Sequence, residues 1–250
     1  MLNIVIPMAG RGHRFREAGY TLPKPLIEIH GKPMIQIVIN NLRPQQDHQF
    51  IFLCLKEHVE QYQIDRRLKV WAPNAKIVLV DRVTEGAACT VLLAKNYINN
   101  DQPLMLSNSD QWVDYSINDY LKKFDDSALN GFIMTMTARD PKWSYVQLND
   151  RREAVGVVEK RVVSNEATVG IYNYRRGKDF VAAAEEMIQK NLRVNNEFYV
   201  APAFNQMLAK GQRIGYCNIG SVLKGMYGLG TPEDLDQFLK LPIAKKATGF

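Results

Sequence analysis

The stretch LNIVIPMAGRGHRF, residues 2–15, contains the pattern that decides the fold. Ile4-Val5-Ile6 is an unbroken apolar run, which predicts a buried strand. The run ends at Pro7, and Gly10 and Gly12 follow shortly after it. Glycines directly after a strand let the backbone turn sharply and point its N–H groups at a ligand. The stretch therefore predicts a strand followed by a loop that binds oxygen anions.

Cationic side chains accompany this loop. Arg11 and Arg14 can form paired hydrogen bonds with phosphate oxygens. Further along, Lys24 lies between Pro23 and Pro25, which restrict the backbone on both sides of one ammonium group. A stiff backbone lowers the entropy that is lost when the ammonium is aimed at a ligand. The alternative interpretation is a tight turn between strand and helix with basic residues on the surface.

Two familiar phosphate-binding motifs do not match. The dinucleotide fingerprint needs a third glycine where this chain has Phe15, and the ATPase phosphate loop needs Gly-Lys-Ser/Thr. The combination of Met8–Phe15, Pro23-Lys24-Pro25-Leu26 and Gly31-Lys32-Pro33-Met34 instead resembles the signature of the nucleotidyltransferase superfamily that makes nucleotide-activated sugars. The resemblance implies that Arg14 and Lys24 are catalytic and contact the phosphates being transferred. It also implies a nucleotide-binding loop made of Met8, Ala9, Gly10, Arg11 and Gly12.

Strands alternate with helices along the chain. Phe50–Leu55, Ala75–Val80 and Gly131–Thr137 are apolar strand candidates, and a polar helix is expected near Glu57 to Leu68. This order predicts an α/β protein, a three-layer αβα arrangement with a mostly parallel mixed sheet, whose ligands bind beyond the carboxyl ends of the strands. The resemblance implies a GT-A-like fold. We expect a single domain over residues 1–250, with a nucleotide-binding half at about 1–115 and an acceptor-binding half at about 116–240.

The segment Thr84-Glu85-Gly86-Ala87-Ala88 follows the Ala75–Val80 strand. A glycine and small residues at a helix start permit close approach of a flat ring, and the resemblance places this segment against the nucleobase. Glu85 could accept hydrogen bonds from base amino groups, so Glu85 and Gly86 are predicted nucleotide-binding residues. The alternative is a plain helix N-terminus with Thr84 as its cap.

Asp110 follows the apolar run Leu104-Met105-Leu106. A carboxylate at the end of a buried strand, opposite a phosphate loop, is placed to hold Mg²⁺, which takes one or two carboxylates with phosphate oxygens and water. The resemblance assigns a metal ligand here, so Asp110 is predicted to bind both metal and nucleotide. Many family members carry a second aspartate at the position of Gly228. Its absence leaves two interpretations, a metal held by Asp110 and phosphates alone or a substitute carboxylate.

The acceptor-side residues follow from the resemblance. Glu159, Lys160, Gly170 and Glu197 match acceptor-binding positions, with Lys160 expected at the acceptor phosphate. For Glu159 and Lys160 the alternative is an exposed ion pair of little energetic value. For Glu197 it is a carboxylate stabilised at a helix start by the helix dipole.

The composition is that of an ordinary globular protein, with a net charge of +6 that suits anionic substrates. The basic residues are spread along the chain, so nucleic acid is not an expected partner. No apolar run approaches the ~20 residues that span a bilayer. No signal peptide is recognised, and three scattered cysteines fit a reduced compartment. We expect a cytoplasmic protein without membrane contact, for which a homo-oligomer is an open alternative.

These observations predict an enzyme, a nucleotidyltransferase that condenses an NTP with a phosphorylated sugar or small phosphomonoester and releases pyrophosphate. Met8, Trp143-Ser144-Tyr145 and Asn196-Glu197-Phe198-Tyr199 are similar to members from capsule and surface-polysaccharide pathways, some of them cytidylyltransferases. CTP is therefore slightly favoured. The alternatives are a GT-A glycosyltransferase, which would usually show Asp-x-Asp where this chain has Ser107-Asn108-Ser109-Asp110, and a non-catalytic nucleotide-binding protein.

Overall fold

A computed structural model describes residues 1–249. Its strands are β1 (Leu2–Pro7), β2 (Glu28–Ile29), β3 (Lys32–Pro33), β4 (His48–Leu55), β5 (Lys76–Val80), β6 (Leu104–Ser107), β7 (Gln111–Val113), β8 (Gly131–Thr137), β9 (Ser144–Leu148), β10 (Ala154–Glu159), β11 (Glu166–Tyr174), β12 (Ile214–Val222) and β13 (Gly225–Gly228). Its α-helices are α1 (His13–Glu17), α2 (Met34–Leu42), α3 (Lys56–Tyr62), α4 (Ile64–Trp71), α5 (Ala87–Leu92), α6 (Lys95–Ile98), α7 (Ile117–Asp125), α8 (Gly177–Gln189), α9 (Phe204–Ala209), α10 (Pro232–Leu239) and α11 (Pro242–Thr248). Short 3₁₀ turns cover Lys24–Leu26 and Ala201–Ala203.

One mixed, mostly parallel sheet forms the centre of the molecule, in the order β5-β4-β1-β6-β11-β8-β12-β13-β7. The pairings make β11 and β7 antiparallel to their neighbours, while the other strands of this order share one direction. The hairpin of β9 and β10 joins the sheet through β11. The predicted α/β fold with a mostly parallel mixed sheet is confirmed.

The first strand explains why helices cover both faces of the sheet. Ile4 and Ile6 belong to a buried cluster on one face that includes residues of α2, α4 and α7. Val5 points to the opposite face, where residues of α5, α8 and α9 pack. Side chains alternate along a strand, so an apolar run such as Ile4-Val5-Ile6 can bury both faces at once.

The two predicted halves of the chain share this sheet. β6, from the first half, pairs with β11 from the second, and β7 pairs with β13. The carboxyl end of β1 and the segment after β6 therefore lie beside strands that bring in residues numbered above 160. The division into a nucleotide-binding and an acceptor-binding half stays a prediction.

The helix expected near Glu57 to Leu68 is wrong in one respect, because the structure breaks it into α3 and α4. Gln63 separates them with a left-handed backbone, φ +50°. Its N–H still bonds to the Val59 carbonyl, so the chain finishes one helix and starts the next in a new direction. The pattern of apolar residues runs across this point without a glycine or proline, which is why the sequence indicated one helix.

Within residues 1–249, no helix combines the length and the apolar character that crossing a bilayer requires.

Candidate functional site

Two adjoining cavities open at the edge of the sheet where β1 and β6 end. We call them the nucleotide-side cavity, of about 240 Å³, and the acceptor-side cavity, of about 350 Å³. Pro7, Lys24, Ala87 and Ser109 line both. The nucleotide-side cavity is further lined by Met8, Ala9, Gly10, Pro25, Val83, Thr84, Gly86, Thr90 and Glu197. The acceptor-side cavity is further lined by Asn108, Asp110, Lys142, Trp143, Ser144, Glu159, Lys160, Thr168, Val169, Gly170, Tyr172, Tyr199, Val200 and Ala201.

Lys24 and Asp110 meet where the two cavities join. The Lys24 Nζ donates a hydrogen bond to Asp110 Oδ2 at 2.7 Å. Their side chains are 22% and 24% exposed, so the pair faces the cavities while most of its surface is shielded. Charge-assisted bonds in such a setting are stronger than those between fully exposed ions. The predicted catalytic lysine and the predicted metal ligand are thus brought together by the fold.

The glycine loop packs closely against the lysine. Gly12 has φ +60°, and a Cβ added there would lie 3.1 Å from the Cβ of Lys24. Glycine suits this position because it adopts the left-handed region without strain and leaves room for the Lys24 backbone. Met8 and Ala9 are buried, with Met8 3% exposed, so the loop starts from within the core.

The two arginines of the loop lie apart from the cavity lining. Arg11 is exposed, and its Nε lies 3.9 Å from Glu57 Oε1 on α3. Arg14 is also exposed and lies close enough to Glu233 to contribute to a lowered pKa of that carboxyl. The main cause of the lowered Glu233 pKa is its hydrogen bonding to its own backbone N–H and to Thr231 at the start of α10. Their predicted nucleotide and catalytic roles stay predictions.

A neighbouring segment leaves no room for a side chain at Gly86. Its φ is +132°, and a Cβ there would lie 2.5 Å from the backbone N and O atoms of Phe198. The Phe198 N–H donates to the Glu85 carbonyl at 2.8 Å, and the Ala88 N–H donates to the Phe198 carbonyl at 3.0 Å. The predicted base-binding loop is therefore held against residues that lie more than 100 positions further along the chain.

The Glu85 carboxylate is paired, and Thr84 is not a cap. Arg193 Nη1 lies 2.6 Å from Glu85 Oε2, and the Arg193 guanidinium lies 4.3 Å from the centre of the Phe198 ring. The Thr84 hydroxyl donates to the Gly86 carbonyl at 2.9 Å, and the N-cap of α5 is Gly86. The plain-cap alternative for Thr84 is wrong. Contact of Glu85 with a base stays a prediction.

Glu159 forms the floor of the acceptor-side cavity. It is 9% exposed and accepts a hydrogen bond from the Ser144 hydroxyl across the β9–β10 hairpin. Burial raises the pKa of Glu159 above its usual 4.5, and nearby Glu197 adds to the rise, while the Ser144 bond and Lys160 oppose it. The exposed ion-pair alternative does not describe this residue.

Lys160 lies at the rim of the same cavity. Its backbone is left-handed, φ +53°, and its N–H donates to the Trp143 carbonyl at 3.1 Å. Its ammonium donates to the Tyr199 hydroxyl at 2.7 Å and lies 4.9 Å from the centre of that ring. The hydrogen bond to Tyr199 is the main cause that raises the pKa of Lys160. A cation so held is available to an anionic acceptor.

Gly170 and Glu197 line different cavities, Gly170 the acceptor-side cavity and Glu197 the nucleotide-side cavity. Gly170 lies on β11 with φ +83°, and a Cβ there would collide with the Asn108 amide next to Asp110. Glu197 lines the nucleotide-side cavity and lies before the Ala201–Ala203 turn, outside the first turn of α9. The helix-start explanation for Glu197 is therefore wrong, and its acceptor role stays a prediction.

Asp234 is the carboxylate nearest the missing side chain at position 228. A Cβ on Gly228 would lie 3.5 Å from Asp234 Oδ2, and a Cβ on Gly230 would lie 2.9 Å from Asp110 Oδ2. Two carboxylates thus border the same short stretch, and such hard oxygen donors suit Mg²⁺. Residues 1–249 contain no cluster of three or more potential metal-binding side chains.

Some residues that line the acceptor-side cavity have no sequence motif that assigns them a role there. Lys142 and Trp143 both line the acceptor-side cavity, and the Lys142 ammonium lies 4.9 Å from the centre of the Trp143 ring. Tyr145, two residues after Trp143, is fully buried. Tyr199 was quoted only as part of a motif. Trp143 and Tyr145 are two positions apart and so share one side of an extended chain, which is why alternation could not have distinguished the residue at the cavity from the one in the core.

Fold and site together define an α/β protein of the GT-A-like type, with a glycine loop and a lysine–aspartate pair at the carboxyl edge of its sheet. The chain belongs to the nucleotidyl transferase family, whose model matches residues 4–222. This membership confirms the resemblance carried by Met8–Phe15 and Pro23–Leu26, and it supports the predicted enzyme type.

Curated relatives are similar at modest identity. The chain is 25% identical over 177 residues to the bifunctional protein GlmU of Methanocaldococcus jannaschii, a match that covers 69% of this chain and 40% of that protein. It is 26% identical over 211 residues to the mannose-1-phosphate guanylyltransferase catalytic subunit beta of Drosophila pseudoobscura pseudoobscura, covering 82% of this chain and 55% of that one. The chain thus spans about 40% of the length of the GlmU proteins that it matches.

Solved structures share the fold over nearly the whole chain. The nucleoside-diphosphate-sugar pyrophosphorylase of Vibrio cholerae RC9 aligns with a TM-score of 0.79 at 23% identity, covering 95% of this chain and all of that one. A UDP-glucose pyrophosphorylase complexed with UDP-glucose aligns with a TM-score of 0.75 at 18% identity, covering 100% and 98%. At these identities the likeness establishes the fold.

Proposed function

We propose that this chain is a nucleotidyltransferase that joins an NTP to a phosphorylated small molecule, a sugar phosphate or another small phosphomonoester. The product is a nucleoside-diphosphate-activated compound, and pyrophosphate leaves. Family membership supports the transfer reaction. Two joined cavities, one bordered by the glycine loop and one bordered by Lys160, fit a reaction with two substrates.

The observation that carries the proposal is the position of Lys24. It lines both cavities, and its ammonium reaches the end of β6 through Asp110. In a transfer between two substrates, the bonds that form and break lie between their binding sites. A cation fixed at that point can stabilise the negative charge on the oxygens of the α-phosphate during transfer.

The protein contributes to this reaction mainly by positioning the two substrates. An acceptor phosphate oxygen attacks the α-phosphorus of the NTP, a new P–O bond forms, and the bond to the β-phosphate oxygen breaks with its electron pair leaving on pyrophosphate. Lys160 would hold the acceptor phosphate, and Lys24 with Arg14 would stabilise charge at the α-phosphate and the leaving group. Glu159, with its raised pKa, could exchange hydrogen bonds with acceptor hydroxyls.

Asp110 is the first residue that we propose as a metal ligand. Asp110 would bind Mg²⁺ together with the nucleotide phosphates, and Asp234 is our candidate for the carboxylate that replaces the missing one at Gly228. A bound Mg²⁺ supplies positive charge that neutralises and orients the phosphates. The Lys24 ammonium, which hydrogen-bonds to Asp110, adds a second positive charge beside that carboxylate.

The finer parts of the proposal concern the base and the pathway. We slightly favour CTP and a role in capsular or surface-polysaccharide synthesis. The preference for CTP rests on the similarity of Met8, Trp143-Ser144-Tyr145 and Asn196-Glu197-Phe198-Tyr199 to capsule-pathway members. Glu85, beside Gly86, could accept a hydrogen bond from a base amino group, which cytosine, adenine and guanine have and uracil and thymine lack. The relatives named above differ in the nucleotide that their names state, so the base must be measured directly.

The test is pyrophosphate release, measured for each NTP against a panel of sugar phosphates and small phosphomonoesters. Lys24→Ala should fold normally and lower kcat by roughly 10²–10³, the cost of losing one preorganised donor. Lys122→Ala is the matched control, because Lys122 is an exposed lysine that pairs with Asp126 on α7. Equal loss in both variants, or no release with any pair, would contradict the proposal.

The same panel separates the two rival functions. A glycosyltransferase of this fold would consume a finished sugar nucleotide and release no pyrophosphate. A non-catalytic nucleotide-binding protein would bind an NTP without turnover, and Lys24→Ala would then change affinity only.

A further inference from the structure

A third cavity borders the glycine loop at Arg11 and shares no lining residue with the two cavities already described. We call it the anion cavity, lined chiefly by Arg11, Arg16, Pro23, Glu57 and His58. Its volume of about 150 Å³ leaves room for an ion much larger than one water molecule. It lies between α1 and α3 and shares no residue with the lining of the nucleotide-side cavity.

The arginines give this cavity an excess of positive charge. Arg16 Nε donates to the Arg11 carbonyl at 3.2 Å, and within residues 1–249 no carboxylate lies within 4.0 Å of the Arg16 guanidinium. Arg11 faces one carboxylate, Glu57, at the loose distance of 3.9 Å. The guanidinium groups therefore keep donors free, and such planar donors match the oxygens of a phosphate.

His58 lines the same cavity. The residue is 8% exposed and packs edge-on against the Tyr62 ring, and its ring nitrogens are not among the buried atoms that lack a hydrogen-bond partner within residues 1–249. Because these nitrogens are open to the cavity, the imidazole can donate a hydrogen bond to an anion there. Burial lowers the pKa of His58, Glu57 opposes the shift, and Arg16 and Arg11 add to it. An anion between these groups would reverse the effect of the arginines.

We propose that the anion cavity binds a phosphate-type oxyanion, held by Arg11, Arg16 and His58, at a site separate from the nucleotide phosphates. Because Arg11 belongs to the glycine loop, occupancy would fix the outer face of that loop. The cavity volume suits a free ion, inorganic phosphate or pyrophosphate, as well as the phosphate group of a larger molecule whose remainder projects outward.

The test follows the imidazole of His58 by NMR in the full chain, with the signal assigned by His58→Gln among the four histidines. Inorganic phosphate should raise the His58 pKa, and Arg16→Gln should weaken phosphate binding about tenfold, the loss of one charge-assisted bond. Arg66→Gln on α4 is the matched control, because Arg66 is an exposed arginine bonded to Gln63. Glucose 6-phosphate in parallel distinguishes a free ion from a larger phosphate ester.

The Lys24→Ala variant distinguishes phosphate binding in the anion cavity from phosphate binding at Lys24. Phosphate should still shift the His58 signal in Lys24→Ala, because Lys24 does not line the anion cavity. A His58 signal that ignores phosphate in the wild-type chain would overturn the proposal. So would equal binding by Arg16→Gln and Arg66→Gln, or binding that is lost in Lys24→Ala. If His58→Gln fails to fold, Arg16→Gln, on an exposed side chain, still decides the outcome.

Discussion

Lys24 and Asp110 are separated by 86 positions in sequence and by 2.7 Å in the structure. Each residue was identified from its local surroundings, Lys24 from its two prolines and Asp110 from the strand before it. Their contact was not predictable, because neither pattern states which strands are neighbours. The same limit applies to Arg193, whose pairing with Glu85 depends on a segment that no local motif connects to the base-binding loop.

Asp234 gives the first prediction at this scale. Asp234→Asn should weaken the binding of Mn²⁺, a spectroscopic substitute for Mg²⁺, in the presence of NTP, because it removes a charged oxygen donor beside Gly228. Electron paramagnetic resonance of free Mn²⁺ measures this without turnover. Asp236→Asn on the same helix is the control, since Asp236 is exposed. Equal Mn²⁺ affinity in the two variants would exclude Asp234 as a ligand.

Glu159 gives the second prediction, a pH dependence. Its folded-state pKa is raised by burial, so the folded chain holds a proton that the unfolded chain releases first. The free energy of unfolding should therefore fall as pH rises from about 4.5 to the raised pKa. Glu159→Gln has no carboxyl to ionise, and its stability should fall less over the same window. Urea unfolding at several pH values measures the difference.

The control for this prediction is Glu153→Gln, at an exposed position at the start of the same β10 segment. It should keep the pH dependence of the wild-type chain. If Glu159→Gln and Glu153→Gln both show the wild-type dependence of unfolding free energy on pH, the pKa of Glu159 is not raised in the folded chain. That result would contradict the proposed role of Glu159 in the acceptor-side cavity.

At the scale of elements, β1 was located correctly because Ile4-Val5-Ile6 is an unbroken apolar run, although the strand extends over Leu2–Pro7. β12, from Ile214 to Val222, was not assigned. Its run includes Gly215, Asn218 and Gly220, which interrupt the alternation typical of a strand. β12 forms because β8 and β13 pair with it on either side, so hydrogen bonds to neighbouring strands stabilise a segment whose own residues have a low strand propensity.

The break between α3 and α4 gives the third prediction. Gln63→Gly should stabilise the chain by about 0.5–1 kcal/mol, because glycine adopts φ +50° without the Cβ strain that Gln63 bears. This net gain already includes the opposing effect of glycine's greater conformational entropy in the unfolded chain. Arg67→Gly, at an exposed position inside α4, should instead destabilise it by about 1 kcal/mol. Thermal unfolding compares them. A loss of stability in Gln63→Gly would mean that the Arg66–Gln63 hydrogen bond outweighs the strain.

The contact between the Gly86 loop and Phe198 gives the fourth prediction. Gly86→Ala should cost more than the roughly 1–3 kcal/mol of a strained backbone, because the added Cβ also collides with the Phe198 backbone. It should also weaken NTP binding. Gly211→Ala is the control, since Gly211 has φ +75° and open space around it. Equal destabilisation of the two variants in urea would mean that the Phe198 segment moves freely.

At the scale of the whole molecule, the α/β class and the mostly parallel sheet were predictable from the alternation of strands and helices. The strand order was not, because β11 inserts between β6 and β8 in the opposite direction. That insertion brings Gly170 beside Asn108 and joins the β9–β10 hairpin to the sheet, so that Glu159 lines the same cavity as Asp110. The acceptor-side cavity is thus a product of topology, and only the family resemblance indicated its residues in advance.

The central claim is that an NTP binds with its phosphates along the Gly10 loop and its reacting α-phosphate at the Lys24 ammonium. A crystal structure with Mg²⁺ and a non-hydrolysable CTP analogue tests it most directly. The account predicts triphosphate density between Gly10 and Lys24, with the base beside Gly86. Phosphates bound elsewhere, or a Lys24 side chain turned into solvent while the analogue is bound, would contradict it.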